Sequence, residues 1–132
     1  MSISYALPHH GMASEYQCSG VPYVVSITVD STSVTKIHFP FVARHFTLLS
    51  SGTTVVRAGF TENGVNSNPA PHYIPVLPNT STPRFEIKCQ DIFLRNDSGT
   101  ATNMVTIVAG LTNVTQDRFF SVTGSNGVEG VG

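Results

Sequence analysis

The sequence predicts an all-β chain, an eight-stranded antiparallel β-sandwich with the strand count of a single jelly roll. Three observations predict it. Apolar and polar residues alternate at period two through most of residues 21–112, and no stretch shows a convincing helical period. Turn signals rich in Gly, Pro and Asn recur at intervals of about 8–15 residues. The segments between them are enriched in Val, Ile, Thr and Phe, the residues that suit a pleated, half-buried surface. An immunoglobulin-like sandwich is the rival. Trp is absent, so no core Trp lies between two cysteines as in antibody-type domains.

The organising stretch is residues 34–65, VTKIHFPFVARHFTLLSSGTTVVRAGFTENGV. Thr35, Ile37, Phe39 and Phe41 are expected on one face of a strand, with Lys36, His38 and Pro40 on the other. Phe46 and Leu48 are expected to continue in the same register before SSGTT turns the chain. Val56, Ala58 and Phe60 form the next inward set, opposite Val55, Arg57 and Gly59. The Asn63-Gly64 dipeptide reads as a tight turn closing that strand.

The remaining elements follow in chain order. Residues 1–20 read as an N-terminal arm, with Ile3, Tyr5, Leu7 and Tyr16 as apolar anchors that order on contact with a neighbour. Residues 21–30 form the first strand, with Tyr23, Val25, Ile27 and Val29 inward. Residues 65–73 carry too many Pro and Asn for regular pairing. Residues 72–77 form a short strand that Pro75 confines to an edge or bulge. From Arg84 the pattern places Phe85, Ile87 and Cys89 inward. A bend near Gln90-Asp91 separates them from a strand with Ile92 and Leu94 inward. Residues 104–111 are apolar on both faces except at Thr106, which suggests a central strand. The expected division is thus an arm (1–20), a jelly-roll domain (21–112) and a flexible C-terminal tail (113–132).

Composition narrows the function classes. Charged residues make up 11% of the 132 residues, and the net charge is −1. That share is about half the usual one for a soluble domain. The seven Lys and Arg are scattered, so no basic patch predicts direct nucleic acid binding. A charge-poor surface rich in Ser, Thr and Asn suits burial against neighbouring subunits. No stretch approaches the roughly 20 apolar residues of a membrane span, and residues 1–11 do not read as a signal peptide. Cys18 and Cys89 are expected as reduced, buried thiols, a single disulfide being the other arrangement. The triplets at Asn79, Asn96 and Asn113 match the glycosylation pattern and are expected to stay unmodified.

No constellation for catalysis emerges. His38 and His45 stand seven apart without a following carboxylate, His9 and His10 lie in the arm, and His72 falls in a loop, so no metal site is expected. Glu86 and Asp91 read as strand-surface charges paired with Arg84, Lys88 or Arg95, in preference to a glycosidase carboxylate pair. The oxygen-rich loops TENGVNSN and NDSGT lack the spacing of a calcium loop. Phe39, Phe41, Phe46, Phe60, Phe85 and Phe93 recur at strand spacing and read as core. A carbohydrate- or receptor-binding module, the alternative function, would be expected to display exposed Trp or Tyr, yet Tyr5, Tyr16, Tyr23 and Tyr73 are dispersed.

The run FPFVARHFTLLSSGTTVVRAGFTENGV, then YIPVLPNTSTPRFEIKCQDIFLRNDSG, then MVTIVAGLT, resembles the small single-jelly-roll capsid proteins of large icosahedral DNA viruses. It is most similar to the penton proteins, which form pentamers at the five-fold vertices. The resemblance spans residues 34–112 and rests on the Arg57-Ala58-Gly59-Phe60 strand with its Asn63-Gly64 turn, the Lys88-to-Arg95 strand pair and the Val108-to-Thr112 close. It implies a structural virion protein that partners itself as a homopentamer and neighbouring capsid proteins. It implies no enzyme activity, no catalytic residues, no cofactor and no metal.

Overall fold

A computed structural model describes residues 20–67, 71–97 and 102–118, together with Ala13. The chain is mostly strand: β1 (Val21–Val29), β2 (Thr35–Ser51), β3 (Val56–Gly59), β4 (Ile74–Val76), β5 (Cys89–Asn96) and β6 (Asn103–Leu111). A short helix, α1 (Glu62–Asn66), follows β3, and a single 3-10 turn (Gln116–Arg118) follows β6. The six strands form one antiparallel sheet in the order β1-β6-β2-β5-β3-β4.

β2 holds the sheet together by changing partners along its 17 residues. Its beginning pairs with β5, Thr35 opposite Leu94 through His38 opposite Asp91. From His45 to Ser51 it pairs with β6, His45 opposite Gly110 and Ser51 opposite Met104. Irregularities between His38 and Ala43 and between Ala43 and His45 make the exchange. A bulge adds a residue and bends its strand, and here the adjacent Val42 and Ala43 are both buried. The inward set therefore moves from odd positions (Ile37, Phe39) to even ones (Phe46, Leu48). Phe46 and Leu48 do face the core, but the expected single register does not survive, and Phe41 is left 40% exposed.

The bend rolls the sheet around one core. β1 and β5 stand three places apart in the strand order, yet the Asn96 amide donates to the Asp30 carbonyl at 3.0 Å. Phe46 meets Phe60 edge-on at 6.1 Å, and Tyr23 meets Phe39 edge-on at 5.3 Å. Phe39, Phe46, Leu48, Ile92, Leu94 and Ile107 are among the fully buried side chains. Burying a Phe or Leu contributes on the order of 1.5–3 kcal/mol each, so this cluster dominates stability.

Two of the eight anticipated strands are absent as separate elements. Residues 34–41 and the Phe46-Leu48 segment merge in β2, and the run from Arg84 joins no ladder before Cys89. Pro83, which lacks the N–H a ladder requires, stands immediately before that run, and Pro78 opens the longer irregular segment 78–88. It instead touches β2 through bridges at Ser81 opposite Leu49 and Phe85 opposite Phe46. Ile87 is 38% exposed in consequence, while Cys89 opens β5, and Gln90 and Asp91 lie within that unbroken strand.

Asn63-Gly64 lies inside α1 and makes no hairpin turn. Thr61, in extended conformation, caps the helix by accepting the Gly64 amide on its hydroxyl at 3.1 Å. Residues after β6 are also fixed. Val114 is fully buried against Val42. The Val42 amide donates to the Val114 carbonyl at 3.0 Å, and Thr112 donates to the Val42 carbonyl from both its amide and its hydroxyl. The side chain of Gln116 donates to the Phe39 carbonyl. This segment thus seals the β2 bulge, extending the folded unit past residue 112. Most of the expected arm, and residues 119–132 of the expected tail, lie outside the described residues.

Candidate interaction surface

The residues considered for chemistry are held in separate places. His38 Nδ1 lies 2.6 Å from Asp91 Oδ1, and Lys36 approaches the same oxygen at 4.0 Å. Glu86 pairs instead with Arg84 at 2.7 Å and Arg44 at 3.9 Å, so each carboxylate has its own cations. His45 sits over Gly110, where an added Cβ would overlap its imidazole. No group of three or more His, Cys, Asp or Glu side chains able to hold a metal occurs among the described residues. Cys89 is a free thiol whose burial, reinforced by Asp91, pushes it up to about 12, which leaves it unreactive. Cys18, His9 and His10 lie outside the described residues. Of the glycosylation triplets, Asn96 is 1% exposed and sterically closed to modification.

The sheet's two outer surfaces differ sharply in charge. Over β5, β3 and the first part of β2, the ladder sets Lys36 opposite Phe93, His38 opposite Asp91 and Arg57 opposite Arg95. These charges are engaged locally. Arg57 Nε donates to Asp97 Oδ1 at 2.6 Å, and its Nη1 donates to the Val65 carbonyl at 3.0 Å. Arg95 Nη1 donates to Asn66 Oδ1 at 2.7 Å. The two arginines therefore clamp α1 over this half of the sheet.

Over β1, β6 and the second part of β2, the outward positions form cross-strand rows. They read Thr28, Met104, Ser51; then Ser26, Thr106, Leu49; then Val24, Val108, Thr47; then Pro22, Gly110, His45. No Lys, Arg, Asp or Glu stands at any of them. Val24 is 63% and Met104 48% exposed, with Leu49 and Val108 also open. The hydroxyls of Ser26 and Thr106 bond each other at 2.7 Å. At one end the face runs into a shallow groove between Leu49, Met104 and Thr106 on the sheet and Asn79, Thr80 and Ser81 on the loop.

Chemically, such a face can do one thing well: lose its water cheaply. Desolvating methyls and mutually bonded hydroxyls costs little, whereas burying an unpaired ammonium or carboxylate costs several kcal/mol. The alternation of β1 was legible from sequence, but β6 read as apolar on both faces, and the convergence of four charge-free rows required the strand order. No helix among the described residues is long and apolar enough to cross a membrane. No protein-family profile and no curated protein matches the chain.

Proposed function

We propose that the chain is a structural subunit of an icosahedral viral shell, a capsid protein that forms the five-fold vertex as a homopentamer. In this reading the rolled sheet is a single jelly roll, the protein resides in the virion, and its partners are its own copies and neighbouring capsid proteins. It takes no part in catalysis and does not contact nucleic acid directly. The observation that carries the reading is the charge-free outer face of β1, β6 and β2, which lies opposite a face whose arginines are already engaged. A subunit that meets like subunits needs such a desolvatable side, and symmetry multiplies each modest contact. A ring that survives dilution buries roughly 1,000 Å² or more at each interface.

Native mass spectrometry at micromolar concentration tests this. The expected species is a pentamer that Val108→Glu or Thr106→Lys converts to monomer without altering the circular dichroism. A trimer would keep the shell role and move the subunit off the vertex. A strict monomer, also in the presence of a candidate major capsid protein, would overturn the reading. The competing carbohydrate- or receptor-binding module rests on the hydroxyl-lined groove beside Leu49, which has no aromatic platform among its lining residues. Glycan-array binding by that monomer would favour it.

A further inference from the structure

The two edges of the sheet are guarded very differently. β4, at one edge, has three residues with an exposed Pro75 at its centre, and short Pro-bearing edges resist pairing with other strands. β1, at the other, has nine residues, VPYVVSITV, with no charge and with Pro only near its start. Among the described residues only β6 pairs with it. The core is also incomplete there. Tyr23, Val25 and Ile27 face inward yet stay half-buried, while their partners on β6, Ala109, Ile107 and Val105, are buried.

We propose that the free edge of β1 is paired by residues 2–7 of a second copy of this chain, added as an extra strand. This deepens the shell-subunit reading and rests on it. The segment reads Ser-Ile-Ser-Tyr-Ala-Leu, a period-two alternation. One of its faces offers Ile3, Tyr5 and Leu7 to the open core beside Tyr23, Val25 and Ile27. The other offers Ser2, Ser4 and Ala6, small and uncharged like the outer face it would extend. Strand addition of this kind draws affinity from main-chain hydrogen bonds and specificity from alternate side chains.

The shell-subunit reading favours a second copy over a hairpin within one subunit, because it sets like chains side by side. A Cβ on Gly20 would lie 2.5 Å from the Gly110 Cα, so the chain reaches β1 pressed over β6. Residues 8–19 can then span up to about 40 Å to a neighbour.

Hydrogen exchange and cross-linking on the full chain test the proposal. Deleting residues 2–7 should leave the circular dichroism unchanged and dissociate the oligomer. Exchange of the β1 amides should quicken at least about tenfold. A photo-crosslinking benzoylphenylalanine in place of Tyr5, in an equal mixture of ¹⁴N and ¹⁵N protein, should join chains of different isotope at a β1 peptide. Tyr5→Asp, which keeps the chain length, should reproduce the loss of β1 protection. An intact oligomer with unchanged β1 exchange after deletion would overturn the proposal and leave the shell-subunit reading standing. Cross-links confined to single chains would overturn the exchange between copies. A full chain that is monomeric at every concentration would overturn both readings together.

Discussion

Asn96 and Asn103 face each other at the buried end of the rolled sheet, the Asn96 side-chain amide donating to Asn103 Oδ1 at 3.3 Å. Asn103 also donates to Ser50 Oγ at 3.2 Å and to the Thr54 carbonyl at 2.7 Å, and accepts the Thr54 hydroxyl at 2.8 Å. Both asparagines are 1% exposed. The network thus joins β2, the turn after it, β5 and β6 where water cannot substitute. Asn103→Leu should lower stability by about 1–3 kcal/mol in urea denaturation, because the Thr54 carbonyl is then buried without this donor. Ser26→Ala, which removes an exposed hydroxyl pair, should change it by less than about 0.5 kcal/mol.

The core is not uniform along the bend of β2. Phe46 is fully buried and touches both Phe60 and Phe85, the latter at 5.3 Å between ring centres. Phe85 itself is only half-buried, because its segment lies outside the regular ladder. Phe46→Ala should therefore cost about 3–5 kcal/mol, and Phe85→Ala clearly less. Equal losses in chemical denaturation would mean that Phe85 is a full member of the core.

What the sequence made legible was whatever depends on local alternation. The inward sets of β1, β3 and β5 follow it, and Pro75 correctly marks an edge, whereas β6, read as apolar on both faces, leaves Met104 and Val108 exposed on one of them. What it concealed depends on partners far along the chain. The parity change between Phe39 and Phe46 arises because β2 leaves β5 and joins β6, and nothing within residues 39–45 announces that exchange. Asn63-Gly64 has the composition of a tight turn, yet the Thr61 cap and the two arginine clamps make a helical turn the better arrangement. The charge-free face was invisible for a related reason. Its rows draw on residues some 80 positions apart, such as Ser26 and Thr106.

The pH response should carry the signature of His45. Burial holds its imidazole below the ordinary range, Arg44 and Arg84 act in the same direction, and Glu86 opposes them. The unfolded chain then takes up the proton at a higher pH than the folded one. Stability from this group is complete above about pH 6.5, declines as pH falls below that value, and levels off below the lowered folded value. Asp30 contributes in a more acidic window. Hydrogen bonds from the Thr32 hydroxyl and the Ser33 and Thr32 amides hold its carboxyl below the ordinary value, so its contribution is lost only as pH falls through that lowered value. In thermal melts His45→Asn should flatten the slope that sets in as pH falls below about 6.5, and Asp30→Asn should leave that slope intact.

Arg57 should prove less replaceable than its place on a surface strand suggests. Its guanidinium donates to Asp97, the Val65 carbonyl and Ser67 Oγ, and lies 4.8 Å from the centre of the Tyr73 ring. One planar fork thereby fixes the end of β5, the last turn of α1 and the approach to β4. Lysine presents a single point charge, so it cannot reproduce three divergent hydrogen bonds together with stacking. Arg57→Ala should cost about 1–3 kcal/mol, and Arg57→Lys should recover less than half of it. The accompanying change should be local, with faster hydrogen exchange in α1 and β4 while the β1 and β6 amides keep their protection. Should Lys restore full stability and α1 protection, charge alone would account for the clamp and the fork geometry would be irrelevant.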